Sequence, residues 1–274
     1  MTLYVTDLDG TLLRGDTSLS EYTVNALNRL LDAGVMFTYA TARSFASASP
    51  LGKKLHLTLP AAIFNGVFVV DPKTGRRLCQ NVYSKECREM AKEFFIKQDI
   101  APLVYSFING EEKVSYLESR VFEVENYVNS RRGDKRLRPV SDFAALFEGE
   151  VFYFTVIDPR GKIDSLDSVF TEKNGFSRNI QKDTYDDMIW YEIYDKNASK
   201  ANAVNQIKEL SGARELVCFG DNFNDIPMIK AADLGAAVEN SCSGLKAIAD
   251  LIIGSNDNDG VAKFIEQREK RTLR

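Results

Sequence analysis

The chain alternates between short apolar runs and longer segments with helical periodicity, except in its middle third. Apolar runs of four to six residues predict strands at 3–6, 35–40, 61–64, 215–220, 234–238 and 251–254. Amphipathic periodicity predicts helices near 20–33, 44–55, 200–211, 225–232, 242–249 and from about 260. This alternation is typical of a parallel sheet that is covered by helices on both faces. We therefore predict an α/β fold whose open parallel sheet is built from both ends of the chain.

The segment from about 83 to 190 has a different character. Runs rich in Tyr, Phe and Val are separated there by turn signals such as "NGEE" and "DPRG", and a helix is predicted at "SKECREMAKEFFIKQ". This pattern favours a separate α+β domain with an antiparallel sheet. We predict three segments, with residues 1–82 and 191–274 as the two parts of the core and residues 83–190 as an inserted domain.

Composition and charge narrow the class of partner. The 274 residues carry 35 Lys plus Arg against 39 Asp plus Glu, a net charge of −4, which gives no electrostatic reason to expect nucleic acid or an anionic membrane. The four cysteines form no CxxC pair, which favours reduced thiols. No secretory leader and no apolar run of about 18 residues is present. We expect a cytoplasmic monomer whose partner is a small molecule.

Several catalytic classes lack the residues they need. His56 is the only histidine, and it has no acidic or nucleophilic neighbours in "KLHLTLP", so a Ser-His-Asp triad or a His-rich zinc site is hard to build. No cysteine is followed six residues later by an arginine, which removes thiol-phosphatase chemistry. The chain has neither a GxxxxGK[ST] loop nor a GxGxxG turn. Carboxylates are the remaining candidates.

Polar clusters follow three of the predicted parallel strands. The candidate residues are Asp7 and Asp9 after the first strand, Thr41 and Arg43 after the second, and Asp221, Asn224 and Asp225 after the strand at 215–220. In an open α/β sheet, ligand sites form at the carboxyl ends of the strands. We therefore expect these side chains to converge.

The carboxylates in these clusters suggest a metal site. Asp7, Asp9, Asp221 and Asp225 provide oxygen ligands without any histidine or thiolate, a set that suits Mg²⁺ better than zinc or copper. A divalent cation would allow such close carboxylates to stay ionised together. The competing interpretation is that "DLDGT" and "GDNFND" are only turns and helix caps. Because both motifs directly follow an apolar strand, we favour a site.

Five motifs together resemble the haloacid dehalogenase superfamily, and specifically its Cof-type, sugar-phosphatase-like branch. They are "DLDGTLL", "TAR", "SK" before a helix, "GDNFND" and "NDNDGVAKFIE". The resemblance covers roughly the first 80 and the last 85 residues. It implies a Rossmann-like open parallel core with an inserted, mobile α/β cap, and it does not identify the substrate.

The same resemblance implies roles for the acidic residues. Asp7 would attack phosphorus and form an aspartyl-phosphate, and Asp9 would act as general acid and then as general base. Asp221 would bind Mg²⁺ directly, while Asn224 and Asp225 would hold it through water or orient the site. The expected metal-binding set is Asp7, Asp9, Asp221, Asn224 and Asp225.

The expected catalytic set is completed by Thr41 and Lys200, and the substrate-binding set consists of Thr41, Ala42, Arg43, Asn65, Lys200 and Asn224. Thr41 would donate a hydrogen bond to a phosphoryl oxygen, and a lysine would spread the transition-state charge. Lys200 matches the "SK" position and is favoured over Lys196. Ala42 stands where the family usually has glycine, and Asn65 either lines the pocket or belongs to a plain hairpin turn.

These residues predict a Mg²⁺-dependent phosphohydrolase acting on small phosphorylated metabolites, sugar phosphates foremost. A phosphomutase of the same superfamily would use the same nucleophile. A non-catalytic module that binds phosphorylated metabolites is the alternative from another class. The intact set of aspartates, threonine and lysine favours an enzyme.

Overall fold

The computed structural model describes residues 1–182 and 188–272, and the chain divides into two compact units. The first unit consists of Met1–Asn81 and Ala198–Arg274, and the second of Val82–Asn197. The second unit extends past the sequence-based boundary at 190, because its last strand runs to Asp195 and pairs along its whole length with the strand before it.

The described residues form fourteen β-strands and ten α-helices, numbered here in chain order. The strands are β1 (Thr2–Thr6), β2 (Met36–Tyr39), β3 (Ala61–Ile63), β4 (Phe68–Val70), β5 (Arg77–Gln80), β6 (Leu103–Ile108), β7 (Glu111–Leu117), β8 (Leu137–Val140), β9 (Glu150–Ile157), β10 (Phe176–Lys182), β11 (Ile189–Asp195), β12 (Glu215–Gly220), β13 (Leu234–Val238) and β14 (Leu251–Ile253). The helices are α1 (Glu21–Asp32), α2 (Phe45–Gly52), α3 (Lys85–Lys97), α4 (Glu125–Ser130), α5 (Phe143–Leu146), α6 (Ile163–Val169), α7 (Lys200–Ser211), α8 (Ile226–Ala231), α9 (Ser243–Lys246) and α10 (Gly260–Thr272).

The first unit is built on a parallel sheet with the strand order β14-β13-β12-β1-β2. Its central strands β1 and β12 are buried almost throughout, as expected for strands that are covered on both faces. Four of the described helices begin with a serine N-cap, whose hydroxyl oxygen accepts a hydrogen bond from the backbone N–H three residues further on. The capping residues are Ser20, Ser44, Ser84 and Ser199. The predicted α/β fold with a parallel core sheet is confirmed.

Residues 61–64 differ from their predicted place in the parallel sheet. A single parallel bridge, Ala40 to Ala62, joins this segment to the end of β2. Strand β3 instead pairs with β4 in an antiparallel hairpin, and β5 completes this small sheet. The reversal is possible because Asn65 and Gly66 both adopt positive φ angles, of 53° and 92°.

The second unit contains a sheet with the order β10-β11-β9-β6-β7-β8, antiparallel except for the pair β7 and β8. A core of aromatic and aliphatic side chains packs in this unit, and the ring of Phe95 contacts the rings of both Phe154 and Phe170. This unit is the additional sheet domain that the sequence pattern predicts. None of the helices in the described ranges has the length and apolar character that crossing a membrane requires.

Candidate active site

The carboxyl ends of three adjacent strands meet at one edge of the parallel sheet. Thr6, the last residue of β1, lies opposite Tyr39 of β2 on one side and Phe219 of β12 on the other. The backbone N–H of Asp7 donates to the carbonyl of Phe219 at 2.9 Å, so the pairing continues one residue past the strand. The register therefore brings all three polar clusters to the same edge, where α/β sheets form their ligand sites.

Lys200 joins two of these clusters from the start of α7. Ser199 caps this helix, and Lys200 is its first residue. The Lys200 Nζ donates to Asp7 Oδ1 at 2.7 Å and to Asp225 Oδ1 at 2.6 Å, and the whole residue is only 2% exposed. Lys196, the weaker candidate, is exposed and belongs to the second unit. Helix α7 thus delivers a buried ammonium group between two carboxylates.

Asp225 is fully buried and uses both of its carboxylate oxygens. Its Oδ1 accepts from Lys200, and its Oδ2 accepts from the backbone N–H groups of Asp221 and Asn222 at 3.0 and 3.1 Å. Together with Asn222 it forms a capping box at the turn after β12. The "GDNFND" motif is therefore a cap, as the competing interpretation supposed, and the same cap orients Lys200.

The turn after β1, residues 7–13, lies directly against Asp221, and we call it the aspartate turn. Gly10 has a φ of 74°, and a Cβ atom at this position would lie 2.5 Å from Asp221 Oδ2. The hydroxyl of the buried Thr11 donates to Asp221 Oδ1 at 2.7 Å. Glycine is therefore needed at position 10 both for the backbone conformation and for the close approach of Asp221.

Three carboxylates form a cluster that could hold a metal ion. Oxygen atoms of Asp7, Asp221 and Asp225 all lie within 4.8 Å of one another. When ionised, these three groups carry three negative charges against the single positive charge of Lys200, so two negative charges remain. An all-oxygen donor set with this excess charge fits a hard divalent cation.

Burial and mutual repulsion shift the pKa values in this cluster. Burial and the charge of Asp225 raise the pKa of Asp221 to about 6. Burial also raises the pKa of Asp7, and the Lys200 ammonium opposes that shift. For Lys200 burial lowers the pKa, but the charges of Asp225 and Asp7 outweigh it and raise the pKa above its ordinary value. Lys200 is thus held as a cation.

Asp9 lies outside the carboxylate cluster, although its sequence position suggested a metal ligand. Its side chain, 49% exposed, forms a two-point ion pair with Arg43, in which Arg43 Nε donates to Asp9 Oδ2 at 2.7 Å. The carboxyl group of Asp9 therefore faces Arg43. In a regular strand Asp7 and Asp9 would point to the same face, but the chain leaves the extended conformation after β1 and turns at Asp9 and Gly10. The structure brings Arg43 and Asp9 together as one pair.

The other predicted substrate-binding residues surround the end of β2. Thr41 is fully buried, and its Oγ1 accepts the backbone N–H of Arg43 at 3.1 Å. Ala42 is absent from the described residues with positive φ, so alanine fits here without strain. The backbone N–H of Asn65 donates to the Thr41 carbonyl at 3.0 Å, and Asn65 Oδ1 accepts from Asn224 Nδ2 at 3.2 Å. Asn65 thus belongs to the hairpin turn and also contacts a predicted site residue.

Sequence reasoning gave no contact role to three residues that hold the site together. Thr11, in the "DLDGT" motif, bonds to Asp221. Asn240 and Asn256 donate hydrogen bonds to backbone carbonyls of the aspartate turn. Asn256 belongs to the "NDND" motif, so a signal was present, but a motif alone does not reveal which atoms it contacts.

Comparison with known proteins identifies the family. A family model for haloacid dehalogenase-like hydrolases matches residues 4–265. The chain therefore belongs to this family, and the resemblance noted in its motifs is confirmed. Like the relatives named below, it is a phosphoric monoester hydrolase.

Two curated relatives and one solved structure illustrate the match. The chain is 26% identical over 282 residues to the 5-amino-6-(5-phospho-D-ribitylamino)uracil phosphatase YitU of Bacillus subtilis, covering 97% of this chain and 96% of that protein. It is 25% identical to the pyridoxal phosphate phosphatase YbhA of Escherichia coli, covering 94% and 95%. A solved phosphatase of the same superfamily from Bacteroides thetaiotaomicron superposes with a TM-score of 0.77 at 21% identity, covering 97% and 94%. The last similarity shows the shared fold.

Proposed function

We propose that this protein is a Mg²⁺-dependent phosphatase that hydrolyses small phosphorylated metabolites, sugar phosphates in particular, through an aspartyl-phosphate on Asp7. The observation that carries the proposal is the buried Lys200 ammonium, which bonds to Asp7 beside the carboxylate cluster. A carboxylate beside a fixed positive charge is the arrangement that a nucleophile for phosphoryl transfer requires, and this supports the role proposed for Asp7. The two curated relatives are named for small phosphorylated compounds, which supports the same size of substrate here.

In this proposal the three carboxylates of the cluster have different roles in the metal site. Asp7 and Asp221 would hold the Mg²⁺, which would offset the repulsion between the Asp7 carboxylate and the phosphate. Both oxygens of Asp225 already accept hydrogen bonds, so its role is to orient Lys200 and the 221–225 turn. Asn224 donates from Nδ2 to Asn65, and its side-chain oxygen would help to hold the metal or orient the site.

The chemical steps are carried by Asp7 and Asp9. Asp7 attacks phosphorus while the bond to the leaving oxygen breaks, and Asp9 donates a proton to that oxygen. Asp9 then removes a proton from water, the water oxygen attacks phosphorus, and the bond to Asp7 breaks to release phosphate. For these steps Asp9 must leave Arg43, and the exposure of this pair makes its separation cheap.

Thr41 and Arg43 would bind the phosphate and the substrate. The Thr41 hydroxyl accepts one hydrogen bond from the Arg43 backbone, so its own hydrogen is directed by that contact and can be donated to a phosphoryl oxygen. Once separated from Asp9, the planar guanidinium of Arg43 can form paired hydrogen bonds with an anionic substrate. Lys200 would stabilise the charge that develops on the phosphoryl group.

The decisive experiment is a phosphate-release screen with Mg²⁺ over hexose phosphates, pentose phosphates, nucleotides and pyridoxal phosphate. We expect the highest kcat/KM among sugar phosphates and loss of activity on exhaustive chelation. In a parallel acid-quenched reaction, mass spectrometry should find the added phosphoryl group on Asp7, and the folded Asp7→Asn variant should neither carry the label nor turn over. Release that is independent of metal, or a label elsewhere, would refute the mechanism.

A further inference from the structure

The "NDND" motif at 256–259 binds the chain that leaves the aspartate turn. Asn256, only 7% exposed, donates from Nδ2 to the carbonyl of Leu13 at 2.9 Å. Asp257 Oδ1 accepts the backbone N–H of Gly15 at 3.0 Å. These contacts join residues more than 240 positions apart in the sequence. Asn256 and Asp257 therefore fix the exit of the turn.

Asn240 extends this support to the middle of the turn. Its Nδ2 donates to the carbonyl oxygen of Gly10 at 2.7 Å, and its Oδ1 accepts the backbone N–H of Asn256 at 3.0 Å. The amide group thus bridges two backbones, with both of its polar atoms used. Asn240 and Asn256 act as one unit, which we call the asparagine bridge.

The asparagine bridge contacts a turn whose backbone departs from helical geometry, although one internal bond, from the Leu13 N–H to the Leu8 carbonyl at 2.8 Å, closes it. Asp9 has φ and ψ angles of −71° and 123°, and Gly10 has 74° and −5°, so the chain changes direction between these two residues. On its other side, Gly10 lies against Asp221. The Gly10 carbonyl belongs to the residue that follows Asp9, so a hydrogen bond to it limits rotation of the chain at Asp9. The direction of the Asp9 side chain depends on that rotation.

We propose that Asn240 and Asn256 are positioning residues that hold the Asp9–Gly10 segment, so that the Asp9 carboxyl group can reach the leaving oxygen of the substrate. This inference rests on the proposed function, in which Asp9 protonates that oxygen. Neither asparagine touches the reacting atoms. Their loss should therefore weaken acid catalysis more than nucleophilic attack by Asp7, which Lys200 holds separately.

The test compares phenyl phosphate with p-nitrophenyl phosphate, two esters of similar shape whose leaving oxygens differ in basicity. Phenolate needs a proton to depart, whereas nitrophenolate departs readily without one. In Asn240→Ala we expect kcat/KM for phenyl phosphate to fall at least about tenfold more than kcat/KM for p-nitrophenyl phosphate, since small misplacements of a catalytic group are costly. Because both esters are measured on one sample, their ratio does not depend on how much of the variant is folded.

Two further variants separate positioning from general damage. Asn240→Asp keeps an oxygen for the Asn256 N–H but cannot donate to Gly10, so it should change the ratio as Asn240→Ala does. Asn258→Ala is the matched control, because the exposed Asn258 side chain donates to Ser255 Oγ and, among the described residues, to no atom of the aspartate turn, so the ratio should stay unchanged. An unchanged ratio in Asn240→Ala and Asn240→Asp would overturn the positioning role. Absence of wild-type turnover of both esters would instead refute the proposed function.

Discussion

The site contains a buried ion-pair cluster, in which Lys200 pairs with Asp7 and Asp225, and an exposed ion pair between Arg43 and Asp9, and the two differ in their surroundings. The side chains of Lys200, Asp7 and Asp225 are 1%, 8% and 0% exposed, and each contact is a single short hydrogen bond within a packed cluster. The side chains of Arg43 and Asp9 are 22% and 49% exposed and meet through two parallel hydrogen bonds. Lys200, Asp7 and Asp225 are packed in the interior, whereas Arg43 and Asp9 lie at the surface.

The difference in burial matches the different tasks of the two aspartates in the proposed mechanism. Removing one member of a buried ion pair leaves an uncompensated charge, which typically costs about 3–5 kcal/mol. An exposed pair is worth about 0–1 kcal/mol and can open at little cost. A nucleophile gains from a fixed position, and an acid that must exchange protons gains from a partner it can leave. In the proposed mechanism, the burial of Asp7 keeps the nucleophile in place, and the exposure of Asp9 allows the acid to separate from Arg43.

The largest effect is expected when Lys200 is removed from the buried ion-pair cluster. Lys200→Met leaves Asp7, Asp221 and Asp225 without their internal cation, so the free energy of unfolding should fall by about 3–5 kcal/mol without Mg²⁺ and turnover should be lost. Urea denaturation with and without Mg²⁺ measures the first effect. Arg43→Met is the control and should cost at most about 1 kcal/mol. Equal losses of unfolding free energy in Lys200→Met and Arg43→Met would contradict the difference between the buried cluster and the exposed pair.

Breaking the exposed pair at Asp9 should separate activity from stability. Asp9→Asn keeps the size of the side chain but removes the proton donor and acceptor, so kcat should fall by about 10²–10⁴-fold. Its free energy of unfolding should change by less than about 1 kcal/mol, because the side chain is half exposed. Steady-state kinetics and urea denaturation on the same preparation test this. Wild-type turnover would show that Asp9 has no acid-base role.

Metal affinity should depend on pH through Asp221, the partly buried member of the carboxylate cluster. Since the pKa of Asp221 is raised to about 6, a proton competes with the cation below that pH. The Mg²⁺ concentration for half-maximal activity should therefore rise about tenfold from pH 7 to pH 5, as expected for one group of that pKa. Asp9→Asn, outside the cluster, should retain this dependence in its residual activity. A half-saturation value that stays constant would contradict the participation of Asp221.

The smallest effect is expected from a change at Arg43 that keeps its charge. Arg43→Lys preserves the positive charge but loses the planar, two-point geometry, so KM should rise about fivefold with little change in kcat. Stability should remain within about 0.5 kcal/mol of wild type. A fall in kcat at unchanged KM would instead place Arg43 in the acid-base step with Asp9.

Much of the fold was predictable because it depends on local patterns. Apolar runs followed by polar clusters marked β1, β2 and β12, and the rule for parallel sheets then predicted where their ends meet. The exception was the segment at 61–64. Its apolar run resembles a parallel strand, but the positive φ angles of Asn65 and Gly66 turn it back as a hairpin. A short apolar run predicts a strand but does not specify which strand it pairs with or in which direction.

The candidate site was predictable in its residue types and less so in its contacts. The sequence by itself determined the chemistry on offer, an all-oxygen carboxylate set with a lysine at the start of a helix, because these follow from residue identity and local capping. Only the tertiary structure decided that Lys200 lies between Asp7 and Asp225, that Asp9 faces Arg43, and that Asn240 supports Gly10. Such pairings join residues up to 230 positions apart, and they depend on helix packing and side-chain direction, which no local pattern encodes.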